Sequence, residues 1–256
     1  MARYSGTGVL LLGVVGWIAA AGIAAIVATA LLAFIAGFVP PFMANAGVPG
    51  SDLFPVPSDL AYGLIAIGAF HGTLLVAAVW QCGRSDKANR FAGLGVSTLW
   101  RAGLIVRLCL LLFAWAIGIT ILTVGFPAFR ALAQGAASHM LTPGQAPGPM
   151  VLLSGLLLIT VLAPLAEETF FRGWVWDALR RRGHGVWMTG GITSVLWLLL
   201  HAPEAPTRVL FLLPAAVAFS IARHRAGGVR ASLAVHVVNN SMAVAMMALP
   251  QLLATG

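Results

Sequence analysis

The chain has 256 residues, of which 60% are hydrophobic and only 9% are charged. A soluble domain carries about 25% charged residues, and a water-soluble globule of this size has too little interior to bury so much apolar surface. The composition therefore excludes a soluble enzyme, a disordered chain and a disulfide scaffold. It predicts an all-α polytopic membrane protein, because the apolar runs do not show the alternation typical of a β-barrel.

Seven apolar segments follow one another along the chain, and each approaches the length of about 20 residues that a membrane-spanning helix needs. They cover residues 9–36, 60–81, 103–126, 149–171, 186–202, 207–222 and 231–252. We therefore expect about seven transmembrane helices, of which the fifth and sixth are short.

The net charge of +8 is concentrated in alternate links between these segments. Counting Arg3, one set of links holds eleven Lys and Arg residues, whereas the other set holds two. Cytoplasmic loops carry such an excess, so the pattern predicts a multi-pass cell-membrane protein with a cytoplasmic N-terminus and an external C-terminus. The same reading explains the basic character without a nucleic-acid partner.

Two adjacent carboxylates, Glu167 and Glu168, lie inside the fourth apolar segment, four residues before Arg172. On a helix, Glu168 and Arg172 share a face and can form an ion pair, which favours a structural role for both. Glu167 points about 100° away, so Arg172 cannot easily serve it as well. Ionisable groups within a membrane are functional by default, and an unpaired Glu167 is suited to act as a general base.

Polar groups recur in the fifth and seventh segments. His201 ends the fifth segment, and His236 and Asn240 are four residues apart on one face of the seventh. Such groups also serve as hydrogen bonds between helices, so a packing role is the alternative for each. For His71, in the middle of the second segment, we expect packing rather than chemistry.

Glu-Glu-x-x-x-Arg, then an aromatic-x-x-x-His, then His-x-x-x-Asn, on three successive apolar segments, resembles the CPBP family of intramembrane proteases. That family includes the type II CAAX prenyl endopeptidases and bacterial relatives tied to bacteriocin maturation or self-immunity. The resemblance covers about residues 149–252 and implies a catalytic helical core at 149–256. Residues 1–148 would form about three further helices. One departure is Trp197, which stands where the family usually has Phe.

The resemblance implies that Glu167, His201, His236 and Asn240 are catalytic and that Glu168 and Arg172 support them. Peptide hydrolysis needs an activated water, an oxyanion site and a proton for the leaving amine. We expect Glu167 with His201 to deprotonate the water, and His236 with Asn240 to stabilise the oxyanion. The substrate would be a peptide or membrane-embedded protein, prenylated or not.

Two further questions stay open at this level. Glu167, His201 and His236 would also make a donor set suitable for zinc, although we favour a mechanism without a metal or other cofactor. A non-catalytic immunity or scaffold protein, or a small transporter coupled through Glu167, is the alternative function.

Overall fold

The computed structural model describes residues 6–45, 59–85, 101–127, 129, 149–202 and 207–254. These residues are helical and contain no strand, which confirms the predicted all-α class. Several basic residues used in the charge argument lie outside the described residues, namely Arg3, Lys87, Arg90 and Arg130.

Within the described ranges, each predicted apolar segment falls on one long helical run. These are α1 (Thr7–Asn45), α2 (Asp59–Ser85), α3 (Ala102–Gly125), α4 (149–181), α5 (Val186–His201), α6 (Arg208–Ala226) and α7 (Val229–Ala254). Five of them, α1 to α4 and α6, are long and apolar enough to cross a membrane. The chain is thus a multi-pass membrane protein, and α5, with 16 residues, is shorter than the usual span.

Helix α4 is irregular, and the irregularity has a cause in the sequence. It runs through Pro149–Leu157, a π-helical turn at Leu158–Leu162, Ala163–Glu167, a second π-helical stretch at Glu168–Val175, and Trp176–Arg181. Pro164 has no N–H and cannot continue the regular hydrogen-bond ladder, so the helix widens just before it. Wide turns of this kind are rare and frequently occur at functional sites.

The core surrounds the central part of α4. Phe170 and Phe171 of α4 are fully buried, together with Leu74 of α2 and Phe219 of α6. In contrast, α1 and α3 expose many large apolar side chains, as expected of surfaces that face lipid. Helix α4 is therefore the central element: α2, α5 and α7 pack around it, and α6 packs against α5 and α7.

A buried arginine ties α6 to the second π-helical stretch. Nε of Arg223 donates to the carbonyl oxygen of Arg172 over 2.7 Å, and its Nη2 lies 2.7 Å from Oδ1 of Asp177. The contact satisfies a carbonyl group of α4 and pairs the buried Arg223 with the partly buried Asp177. It fixes the C-terminal part of α4 against α6.

Candidate active site

Glu167 lies at the junction between a regular turn of α4 and the second π-helical stretch, and it is almost completely buried. Nε2 of His71 lies 2.9 Å from its Oε1 atom. The indole Nε1 of Trp197 donates a hydrogen bond to its Oε2 atom. The expectation that Glu167 lacks a partner is therefore wrong, because α2 and α5 each supply a group to one carboxylate oxygen.

His71, for which we expected a packing role, contacts Glu167 from α2. Its Nδ1 atom lies 2.8 Å from the carbonyl oxygen of Ile67, one turn earlier in α2, and its Nε2 atom faces Glu167. We expected it to serve in packing, since a single histidine in an apolar segment carries no motif. The structure instead places it in direct contact with the candidate general base.

His236 lies between the two adjacent carboxylates. Its Nδ1 atom is 3.1 Å from Oε1 of Glu168, and its Nε2 atom is 3.8 Å from Oε2 of Glu167. The ring stacks on Phe219 at a centroid distance of 4.2 Å and meets the edge of Trp197. His236 is thus fixed by aromatic packing while both ring nitrogens face acidic groups.

Glu168 and Arg172 form a buried ion pair. Nη1 of Arg172 lies 3.3 Å from Oε1 of Glu168, and both side chains are inaccessible to solvent. The guanidinium carbon of Arg172 also lies 5.4 Å from the ring centroids of Trp197 and of Phe219. A buried charge needs such compensation, so the cation is held by one carboxylate and two aromatic faces.

His201 closes α5 next to this cluster. Its Nδ1 atom lies 3.0 Å from the carbonyl oxygen of Trp197, and the two rings are 4.6 Å apart. A histidine that donates from Nδ1 to a carbonyl group leaves Nε2 as a proton acceptor in its neutral form. Among the described residues His201 makes no hydrogen bond with Glu167, so a shared water is required if the two act together.

Asn240 is held by the irregularity of α4. In a π-helical turn the carbonyl group of Ile159 would pair with the N–H of residue 164, which is proline and has none. Nδ2 of Asn240 donates to that carbonyl oxygen over 3.0 Å. This contact between helices is the packing alternative considered for Asn240, and it leaves one amide hydrogen for another acceptor.

The zinc site considered for Glu167, His201 and His236 does not fit the arrangement of the described residues. No group of three or more His, Cys, Asp or Glu side chains there is placed so as to hold a metal ion. Both oxygens of Glu167 accept from His71 and Trp197, and Nδ1 of His236 faces Glu168.

Residues 149–242 match the protein family described as "Type II CAAX prenyl endopeptidase Rce1-like". This segment is related to the CPBP family. The resemblance drawn from the sequence motifs is thereby confirmed, and all six predicted site residues lie within the matched segment. No curated protein and no solved structure matches the chain.

His71 lies outside the CPBP-related segment. No motif in the sequence signals it, because the only clue is a single histidine inside a membrane-spanning helix, which can also serve as a hydrogen bond between helices. Trp197 lies inside the segment, and its N–H group is a donor that the usual phenylalanine lacks. His71 and Trp197 both contact Glu167, and neither was among the predicted site residues.

Proposed function

We propose that this chain is an intramembrane endopeptidase that hydrolyses a peptide bond with a water activated by Glu167 and His201. One observation carries the proposal: a carboxylate in the middle of a membrane-spanning helix is surrounded by polar groups from three other helices. His71, Trp197 and His236 all face Glu167. Such a concentration of polar groups is costly in a membrane and is typical of a functional site.

The proposed role of Glu167 is to accept the proton of the attacking water. The water oxygen adds to the scissile carbonyl carbon, and the same proton later passes to the leaving amine as the C–N bond breaks. His201 assists because its Nδ1 atom is committed to a backbone carbonyl, which leaves Nε2 to orient the water. The reaction needs no cofactor in this form.

His236 and Asn240 are the proposed oxyanion donors. With Nδ1 facing Glu168, His236 donates from Nε2 when both of its ring nitrogens carry a proton. The second amide hydrogen of Asn240 supplies the other donor. Preorganised donors of this kind stabilise the charge that develops in the transition state.

The proposed topology has seven spans, with α5 and α7 crossing the membrane in addition to α1 to α4 and α6. The cytoplasmic side would carry the basic links, and the C-terminus would lie outside. Arg84, Arg181 and Arg182 support this arrangement, because they line one cleft where the start of α1 meets the ends of α2 and α4.

The substrate would be a peptide or protein at or in the bilayer, as for CAAX-type endopeptidases, with or without a prenyl group.

The test is cleavage of a quenched-fluorescent peptide library, in prenylated and unprenylated forms, by the purified full chain in liposomes. Glu167→Gln, which keeps the size of the side chain, is the matched control. We expect cleavage by the wild-type chain and none above background by the variant. A folded wild-type chain that cleaves neither form, or a variant that cleaves equally well, would favour the scaffold or transporter alternative.

A further inference from the structure

We infer that His71 is a positioning residue that holds the carboxylate of Glu167 in its working orientation from outside the family-related segment. The inference rests on the proposed function in one respect, namely that Glu167 is the general base. The contact between His71 and Glu167 does not depend on that role, and an infrared measurement tests it without peptide cleavage.

Each nitrogen of the His71 imidazole ring faces an acceptor. Nδ1 faces the carbonyl oxygen of Ile67 at 2.8 Å, and Nε2 faces Oε1 of Glu167 at 2.9 Å. A neutral imidazole donates from one nitrogen only, so a second proton must lie between Nε2 and the carboxyl group. His71 and Glu167 therefore form a charge-assisted hydrogen bond, which is stronger and more directional than a neutral one.

His71 lies on the buried face of α2. His71, Leu74 and Ala78 recur at helical spacing on one face of α2, and Leu74 and Ala78 are completely buried. This face packs against the middle of α4, beside Glu167. The carbonyl of Ile67 then fixes the rotation of the ring, so the position of Nε2 is set by α2 rather than by Glu167.

The two carboxylate oxygens of Glu167 are held by groups on different helices. His71 of α2 holds Oε1, and Trp197 of α5 holds Oε2. His236 of α7 also faces the carboxylate, with its Nε2 atom 3.8 Å from Oε2. Two fixed donors restrict the rotation of the carboxyl group, and a general base must be held within a narrow geometry to act on a bound water.

The test compares His71→Asn with His71→Gln in the full chain, using the peptide that the wild type cleaves best. Asparagine keeps a donor for the Ile67 carbonyl but is too short to reach Glu167, whereas glutamine can reach Glu167. Thr73→Val is the matched control, because Thr73 donates only to the carbonyl oxygen of Ala69 in its own helix.

We expect His71→Asn to lower kcat about 10- to 100-fold with KM unchanged, the range for a lost hydrogen bond to a charged group. His71→Gln should recover most of the loss, and Thr73→Val should match the wild type. A His71→Asn variant with wild-type kcat would overturn the inference. Equal losses in the asparagine and glutamine variants, following their thermal stabilities, would also overturn it.

A second readout does not depend on cleavage. The carboxyl stretching band of Glu167, identified by infrared difference against Glu167→Gln, should shift in His71→Asn and return towards its wild-type position in His71→Gln. An unchanged band in His71→Asn would contradict the contact even if activity fell. A band that shifts as expected in a wild-type chain without any peptidase activity would support the contact and reject the proposed function.

Discussion

The amide nitrogen of Asn240 donates a hydrogen bond over 3.0 Å to the carbonyl oxygen of Ile159. The contact joins α7 to α4 at the carbonyl group that Pro164 cannot serve. It gives Asn240 a place in the fold in addition to the oxyanion role proposed for it. The two roles predict different results when the side chain is removed.

Asn240→Ala should lower turnover about 10²- to 10³-fold with little change in KM, the usual effect of losing one oxyanion donor. It should also lower the free energy of unfolding by about 1–3 kcal/mol, because the Ile159 carbonyl loses its partner. Steady-state kinetics and thermal unfolding in detergent measure the two effects. Ser232→Ala is the matched control, since Ser232 lies on the same helix and donates to the carbonyl oxygen of Val229 within it. Loss of stability with full turnover would leave Asn240 with a structural role alone.

Glu168→Gln should reduce stability more than any other single change in the site. The variant leaves Arg172 buried without a counter-ion, and breaking one partner of such a pair costs about 3–5 kcal/mol. His236 also loses the charge that faces its Nδ1 atom. Thermal unfolding in detergent, measured beside Glu167→Gln, checks this. If Glu168→Gln kept wild-type stability and lost all turnover, Glu168 would be catalytic rather than structural.

Glu167→Gln and His201→Ala should each abolish most of the turnover. The turnover of the double variant should equal that of the less active single variant. Residues that act on one water are not additive, because removing either of them ends the same step. Single-turnover kinetics of the three variants and the wild type gives the comparison. Strictly multiplicative losses would show that His201 acts on another group.

A chelator should leave activity unchanged, since the described residues are not arranged to hold a metal ion. The measurement is peptide cleavage before and after chelation, with the metal content of the purified chain determined by mass spectrometry. Stoichiometric zinc, whose removal stops cleavage and whose return restores it, would reject the metal-free mechanism. It would make Glu167, His201 and His236 ligands instead.

Reporter fusions should place the residue after Arg84 in the cytoplasm and Gly256 outside, as the distribution of Lys and Arg predicts. The pair of fusions tests the number of spans between these points. Cytoplasmic signals from both would mean that an even number of helices crosses the membrane between these two points, and α5, with 16 residues, would be the first candidate for a helix that does not cross.

Much of this protein follows from the sequence by itself, because the relevant physics is local. A composition with 9% charged residues leaves only a lipid environment, and runs of apolar residues in that environment must be helical, since each backbone group needs an internal partner. The contact between Glu168 and Arg172 is equally local, because residues four apart on a helix lie side by side. The family relation rests on three short motifs of the same kind.

Tertiary structure alone decided what surrounds Glu167. His71 is 96 residues away in the chain and reaches the carboxylate only because α2 packs against the middle of α4. A regular helix places Glu167 and Glu168 about 100° apart, yet the wide turns of α4 allow His236 to face both. The partners of a buried charge are chosen by the packing of helices distant in sequence, and the spacing within one helix does not contain that information.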